Sequence, residues 1–191
     1  MTGSREIFWL ACASAIVTAN AYYIHPIIAA VARDFGVSNA DIGIVPAVNQ
    51  IALALGVLLL LPLGDRVDNR KLVTLCLSVQ VLTLVAMAVT TSFVVFITAS
   101  TALGFFTITP YLLPAYASRR VTPQQLGYAT ALLTTGVIAG VQVSRLSAGV
   151  IGAYTDWRWV YGIAAALMAA AAIVVPRIMV PEPVKTHGSS Y

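Results

Sequence analysis

The sequence predicts an all-α membrane protein with six transmembrane helices. Hydrophobic residues make up 59% of its 191 residues and charged residues only 9%, whereas a soluble domain usually carries about 25% charged residues. A helix of roughly 20 apolar residues crosses the hydrocarbon core of a bilayer. Six apolar runs are long enough: 8–32, 40–63, 72–91, 93–116, 125–153 and 158–180. Residues 1–180 are therefore predicted to form a six-helix bundle, followed by a polar cytoplasmic linker or tail, 181–191.

The ends of these runs are typical of membrane helices. The first run lacks the basic segment, short apolar core and small-residue cleavage site of a removable signal peptide, so it is predicted to remain as a helix. Trp9, Trp157 and Trp159 lie near run ends, where aromatic rings anchor at the membrane interface. Cys12 and Cys76 fall within apolar runs and predict no disulfide framework.

The basic residues predict the orientation in the membrane. With a cytoplasmic N-terminus, eight of the eleven bases fall on the inner side: Arg5, Arg66, Arg70, Lys71, Arg119, Arg120, Arg177 and Lys185. The outer loops hold only Arg33 and Arg158, and Arg145 lies within the fifth run. Because inner loops of membrane proteins are enriched in bases, both termini are predicted to be cytoplasmic, with the protein in the plasma (inner) membrane. The bases do not form the clustered patch that nucleic-acid binding requires.

The two halves of the chain share a short pattern. "YIHP" at 23–26 and "YLLP" at 111–114 lie in the first and fourth runs, and "SNADIG" at 38–43 and "TPQQLG" at 122–127 open the second and fifth. In the latter pair, Ser or Thr stands three residues before Asp or Gln, as in a capping box. The agreement arises either from chance or from a repeat of three helices. Because three is odd, the second unit of such a repeat enters from the opposite side, as in many secondary transporters.

These segments resemble the major facilitator superfamily of secondary transporters. "LPLGDRVDNRK" at 61–71 is similar to the family's signature loop between helices 2 and 3, with Asp65, Arg66 and Arg70 matching. Leu61, Asp68 and Asn69 depart from that pattern. "NAYYIHPIIAAVARDFGVS" at 20–38 resembles the first helix and loop of bacterial sugar and drug efflux carriers. "GVIAGVQVSRLSAGVIGAYTDWRWVYGI" at 136–163 resembles their fifth helix and its exit into the sixth.

The resemblance implies one half of a twelve-helix protein. It also implies that Asp65, Arg66 and Arg70 form a cytoplasmic gate, with the carboxylate facing a helix N-terminus of the other half, whose dipole favours an anion. Alternatively, the bases of this loop only mark topology and contact phosphates. Where the family's proton antiporters have a helix-5 proline and a helix-4 arginine, this chain has Val141 and Ser100. Proton-driven antiport is therefore not supported.

Polar residues in the apolar runs predict a path for a solute. In the fifth run a ridge of small residues, including Gly136, Gly140 and Ser144, is predicted to pack on a neighbouring helix, because small residues allow close approach. The opposite, polar face is predicted to turn towards a cavity. The predicted substrate path holds eleven residues from runs 1, 2, 4 and 5: Asn20, Tyr23, His25, Asn49, Gln50, Ser100, Thr107, Tyr111, Thr135, Gln142 and Arg145. Runs 3 and 6 have far fewer polar residues and are predicted to be peripheral.

Two of these path residues admit different interpretations. A cation at the bilayer centre costs about 2.5–3.5 kcal/mol, which favours a cavity or substrate contact for Arg145. However, Asp156 lies eleven residues on, roughly 16 Å of helix, so Arg145 could instead reach the outer interface or pair near the helix end. His25 titrates near neutrality and is either a packed core residue or part of a proton-coupling path. Asn20 and Tyr23 share one face of the first run, and Thr18, Tyr22 and His25 share a nearly opposite one.

The sequence favours a transporter over an enzyme. It contains no visible metal-ligand cluster, phosphate-binding glycine loop or nucleophile–base set, so no metal, cofactor or catalytic residue is predicted. The predicted function is secondary transport of a small organic solute by alternating access. The expected partners are the bilayer, the solute and a second six-helix half, which is a missing C-terminal region, a separate chain or a second copy. The alternative is a truncated or accessory six-helix membrane protein without transport activity of its own.

Single cysteines test the predicted orientation. In intact cells, a cysteine introduced by Thr91→Cys reacts with a membrane-impermeant thiol reagent, because residue 91 lies in an outer loop. A cysteine introduced by Gln124→Cys reacts only after the cells are permeabilised. The opposite labelling pattern would show that the orientation inferred from the bases is reversed.

Overall fold

The computed structural model confirms an all-α fold with six candidate membrane-spanning helices among the described residues, 4–179. The side chains of Ser4 and Asp65 and the predicted tail, 181–191, lie outside the described part. The α-helices are α1 (Ser4–Ala19), α2 (Ile24–Phe35), α3 (Asn39–Ile42), α4 (Ile44–Leu60), α5 (Asn69–Val89), α6 (Phe93–Phe106), α7 (Thr109–Ser118), α8 (Pro123–Tyr154) and α9 (Arg158–Ile178). Spans 1 to 6 are Arg5–Phe35, Asn39–Gly64, Asn69–Val89, Phe93–Ser118, Pro123–Tyr154 and Arg158–Ile178.

Spans 1 and 4 are each broken near mid-length. Span 1 consists of α1 and α2, joined by a turn at residues 20–23, and span 4 consists of α6 and α7, joined at Thr107 and Ile108. A proline lies just after each break, Pro26 in span 1 and Pro110 in span 4. Because proline has no N–H, the carbonyl four residues earlier loses its helical donor. The two breaks occupy corresponding positions in the two predicted repeats.

The packing of the spans supports an inverted repeat over chance resemblance. Spans 1 and 5 form one close pair and spans 2 and 4 form another. Span 3 packs on spans 4 and 6, and span 6 packs on spans 3 and 1. Exchanging spans 1, 2 and 3 for spans 4, 5 and 6 leaves this pattern unchanged. That symmetry is expected when two three-helix units pack in the same way on each other.

Glycines bring the backbones of the two close pairs into contact. A Cβ added at Gly136 or Gly140 in span 5 would overlap the Ala11 or Ala15 carbonyl of span 1. In the same way, a Cβ at Gly104 would overlap the carbonyl of Asn49 in span 2. Ser144 and Ala148, further along span 5, are fully buried. The structure therefore confirms that the small-residue ridge of span 5 packs on a neighbouring helix.

The end of the bundle that is predicted to face outwards is held by an ion pair and a hydrogen bond. One guanidinium nitrogen of Arg158, at the start of α9, lies 2.7 Å from a carboxylate oxygen of Asp34 in α2. Its other terminal nitrogen donates to the carbonyl of Thr90, after α5, at 3.1 Å. Arg158 thus ties together the ends of spans 1, 3 and 6 on this side, and we call this contact set the outer clamp, after its predicted side.

Aromatic rings pack directly beneath the outer clamp. Phe35, Phe96, Trp157 and Tyr161 contact one another with ring centroids 5.4–5.9 Å apart, a spacing typical of favourable aromatic pairs. Trp157 is only 4% exposed, so its prediction as an interfacial anchor is wrong. Its ring packs on Phe35 and Phe96 from other spans, whereas Trp9 and Trp159 are exposed.

Helix caps account for one departure from the family's loop pattern. Asp68 stands where that pattern has glycine, and its carboxylate accepts from the backbone N–H of Arg70 at 3.0 Å as the N-cap of α5. Asp is among the best N-cap residues. At the start of span 2, Ser38 likewise accepts from the N–H of Asp41 at 3.1 Å. In the second copy of this pattern, Thr122 precedes α8 and forms no side-chain cap bond.

Glycine-to-alanine changes in α8 test the backbone packing. Gly140→Ala is expected to destabilise the fold by about 1–3 kcal/mol, because overpacking forces helices apart. Gly127→Ala is the matched control, since nothing lies within 4 Å of its added Cβ and alanine favours a helix by up to about 1 kcal/mol. The apparent unfolding temperature in detergent should fall for the first variant only. Equal temperatures would contradict the close contact.

Candidate functional site

An open cavity of about 240 Å³ lies between spans 1, 2, 4 and 5. Spans 3 and 6 contribute none of its twelve lining residues. Five of the twelve carry hydroxyl groups: Thr18, Tyr22, Thr107, Tyr111 and Thr134. The others are alanine, proline, leucine and valine side chains. The cavity is therefore an apolar cleft with a few polar groups, the usual composition of a small-molecule site.

The cavity lies at the level of both helix breaks. Ala21 and Tyr22 belong to the turn of span 1, and Thr107 and Pro110 flank the break of span 4. Broken helices with sites near the bilayer midplane are a recurrent feature of secondary transporters, because the interrupted backbone presents polar groups to a ligand. Thr18, which also lines the cavity, is 9% exposed, and its hydroxyl has no hydrogen-bond partner among the described residues.

Each break satisfies the carbonyl group that its proline releases. In span 4, Pro110 cannot bond the carbonyl of Phe106, which instead accepts from the side-chain amide of Gln80 at 2.9 Å. In span 1, Pro26 cannot bond the carbonyl of Tyr22, which accepts from the N–H of His25 at 3.4 Å. Nδ1 of His25 also lies 3.2 Å from that carbonyl. A carbonyl left without a donor in lipid would cost several kcal/mol.

Gln80 connects the two breaks, although it belongs to span 3. Its side-chain carbonyl accepts from Nδ2 of Asn20 at 3.4 Å and lies 3.5 Å from the Thr107 hydroxyl. Gln80 is fully buried. Sequence reasoning missed it because span 3 was predicted to be peripheral, and the only available signal was a single amide in an apolar run.

Tyr22 is held in the cavity wall by two neighbouring side chains. The guanidinium carbon of Arg145 lies 5.4 Å from the centre of the Tyr22 ring, within cation–π range. The imidazole of His25 stacks on the ring, with centroids 5.7 Å apart and planes inclined by 22°. Three residues from spans 1 and 5 therefore form one stacked unit beside the cavity.

The structure brings only some of the predicted path residues to the cavity. Thr107 and Tyr111 line it, and Gln50 lines an adjoining groove together with Tyr111. Arg145 and His25 do not line the cavity themselves, but both contact Tyr22, which does. The other members divide into a buried group, Asn20, Tyr23, Asn49 and Ser100, and an exposed pair on span 5, Thr135 and Gln142.

The buried members make contacts inside the bundle. Nδ2 of Asn49 donates to the Ser100 carbonyl at 2.7 Å and joins spans 2 and 4, while Asn20 bonds Gln80. Sequence reasoning left Thr18, Tyr22 and Thr134 out of the path, although the structure places all three in the cavity wall. A solute contact for any of these residues remains a prediction.

The loop predicted to form the cytoplasmic gate packs on the inner end of span 4. A Cβ at Gly64 would lie 2.7 Å from Cδ2 of Leu112, so this loop and span 4 are in direct contact. Arg66 is exposed and Arg70 is half-buried. The side chain of Asp65 lies outside the described part, and the gate remains a prediction.

Six apolar spans in the described part of the chain, two of them broken beside a shared cavity, define a multi-pass membrane protein. The chain belongs to the Major Facilitator Superfamily, whose family model matches residues 10–190.

The relatives of the chain are transporters of about twice its length. It is 27% identical over 184 residues to "Uncharacterized transporter YgaY" of Escherichia coli O157:H7, covering 95% of this chain and 46% of that protein. It is 28% identical over 173 residues to "Probable transporter SCO4007" of Streptomyces coelicolor, covering 91% of this chain and 40% of that protein. The chain therefore spans about half the length of the curated relatives it matches.

A solved structure shows the same fold. The crystal structure of a bacterial homolog to the human lysosomal transporter Spinster, in an inward-facing and unoccupied conformation, matches with a TM-score of 0.71 at 14% sequence identity. The match covers 98% of this chain and 45% of that one. At this identity the likeness shows the fold alone, which is half of the larger transporter.

Replacing Gln80 tests how the helix breaks are stabilised. Gln80→Leu is expected to cost roughly 1–3 kcal/mol, because it leaves the partly buried Phe106 carbonyl without its donor. Ser78→Leu is the matched control, since Ser78 is exposed on the same helix. The apparent unfolding temperature in detergent should drop only for the Gln80 variant. A drop of similar size in both variants would contradict the bridging role.

Proposed function

We propose that the chain is one half of a secondary active transporter that moves a small organic solute by alternating access. The observation that carries this proposal is the cavity at the level of both helix breaks, lined by four of the six spans. Its hydroxyl groups offer hydrogen bonds to the polar part of a solute, and its leucine and valine side chains contact the apolar part. Membership of the family and the transporter relatives support the same function.

Transport requires a counterpart that closes the open side of the cavity. The second six-helix half is supplied by a further region of a longer protein, by a separate chain or by a second copy. The two halves then rock against each other around the solute, which is the usual form of alternating access in proteins built from repeats. In this proposal the loop with Asp65, Arg66 and Arg70 contacts the second half at the cytoplasmic side, where a helix N-terminus attracts the carboxylate.

The location and direction of transport belong to the same proposal. The distribution of bases favours a plasma (inner) membrane protein with both termini in the cytoplasm. The resemblance of spans 1 and 5 to sugar and drug efflux carriers favours export of the solute.

A second candidate function follows from the length of the match. Because the chain spans 46% and 40% of two of its relatives, a six-helix accessory or truncated protein without transport activity of its own is the alternative. It differs from the first candidate in one measurable respect, the movement of solute by the chain itself.

Filling the cavity tests the proposed function. The purified chain is reconstituted into liposomes and assayed with radiolabelled sugars, organic acids and drug-like compounds. At least one solute should move with saturable kinetics, and Val137→Trp should reduce that rate at least ten-fold, because the indole occupies the space of the solute. Ile173→Trp is the control, since Ile173 is exposed on span 6, away from the cavity.

Two results of this assay would contradict the proposal. If no solute moves at any ratio of protein to lipid, a second copy of the chain does not supply the other half and the chain alone is not a transporter, which favours the accessory function. If a solute moves and both tryptophan variants retain full activity, the solute site lies elsewhere.

A further inference from the structure

Arg145 carries a charge that the fold leaves without a partner. Its side chain is exposed and contacts the face of the Tyr22 ring. Among the described residues, Arg145 forms neither an ion pair nor a hydrogen bond through its guanidinium group. The face of an aromatic ring attracts the cation but accepts few of its five N–H donors. Arg145 therefore retains donors that can bind an anion.

The described carboxylate residues lie away from the depth of the cavity. Glu6 begins span 1, Asp34, Asp41 and Asp156 lie at the outer ends of spans, and Asp68 lies at an inner end. The lining of the cavity contains no acidic residue. Arg145 and His25, which both contact Tyr22, are the described basic residues beside it. The described charge nearest to a solute in the cavity is therefore the positive charge of Arg145.

Tyr22 connects this charge to the cavity. The ring lines the cavity and contacts both the guanidinium of Arg145 and the imidazole of His25. The guanidinium therefore lies one side chain away from the solute space. A planar guanidinium with free N–H groups matches the geometry of a carboxylate and binds it through two parallel hydrogen bonds.

The rest of the cavity lining indicates the chemistry of the remainder of the solute. Leu53, Val137 and Val141 form an apolar wall, and the hydroxyl groups of Thr18 and Thr107 lie among them. A volume of about 240 Å³ is slightly below the roughly 300–1,000 Å³ of pockets for drug-sized ligands. The cavity therefore suits a small molecule with an apolar body.

We propose that the solute is a small organic anion whose acidic group binds Arg145 while its apolar body occupies the cavity. This assignment rests on the proposed transport function and adds the class of solute to it. Tyr22 positions the guanidinium beside the cavity wall, and His25 stacks on the same tyrosine.

The assignment is tested by comparing the affinities of carboxylic acids with those of their neutral amides. Suitable pairs are benzoate with benzamide and nicotinate with nicotinamide. Affinities are obtained for the purified chain from the concentration dependence of thermal stabilisation, since a ligand of the folded state raises the unfolding temperature. The acid of at least one pair should bind ten-fold or more tightly than its amide, which corresponds to about 1.4 kcal/mol. In Arg145→Gln the acid-to-amide ratio should fall to about one, and in Arg33→Gln, an exposed outer base, it should be unchanged.

Restoring the charge chemically separates the effect of the charge on binding from any effect of the substitution on folding. In a background with Cys12→Ala and Cys76→Ala, the Arg145→Cys variant is modified with either a cationic aminoethyl or a neutral methyl thiosulfonate reagent. Both samples come from the same folded preparation. The cationic modification should restore a preference for the acid and the neutral one should not.

The possible contrary results separate this assignment from the proposed function. If acids and amides bind equally and Val137→Trp abolishes both, the anion assignment fails and the solute site stands. If Arg145→Gln weakens acids and amides to the same degree, Arg145 holds the structure together, for example by pairing with a second half, and the assignment also fails. If no member of any pair binds and no solute moves in liposomes, both proposals fail.

Discussion

A bilayer offers no water to a backbone carbonyl, and this constraint decides how spans 1 and 4 can break beside the cavity. Pro26 and Pro110 interrupt the two helices and each frees one carbonyl. The protein satisfies them in different ways. The carbonyl of Tyr22 is satisfied locally by His25, whereas that of Phe106 receives the amide of Gln80 from another span. Without these donors the breaks would carry unpaired polar groups in lipid, and the hydroxyl-bearing residues at the breaks could not be held where they are.

Close backbone packing holds the two broken helices, spans 1 and 4, against their neighbours. The glycines of span 5 let it approach span 1, and Gly104 of span 4 lets that span approach span 2. Because small residues leave little side-chain volume between the helices, each pair is held by dispersion and weak polar contacts along its length. The two repeats are similar in these contacts and differ in their polar ones. Span 3 supplies Gln80, whereas span 6 is alanine-rich between Ala164 and Ala172. The polar contacts at the two breaks therefore differ, although the packing around them is symmetric.

The spans, the orientation of the small-residue ridge and the start of span 2 could be predicted, because each depends on local periodicity or on a cap. Much of the cavity wall could not. Asn20 and Tyr23 were placed on the path by extending one helical period through residues 20–23, but these residues form a tighter turn. Tyr22, in this turn, and Thr18, in α1, line the cavity instead. The roles of Gln80 and Trp157 depend on which residues from other spans surround them. The amino-acid sequence by itself gives no signal for those neighbours.

The outer clamp has a mechanical consequence for a bundle of this kind. Arg158 joins the ends of three spans through Asp34 and Thr90, and the aromatic rings beneath it add a fourth span to the same assembly. Separating one of these helices at that end breaks its contacts with the others. A displacement of one helix is therefore passed to its neighbours at that end, while the interrupted segments half-way along spans 1 and 4 are the places where those helices can bend.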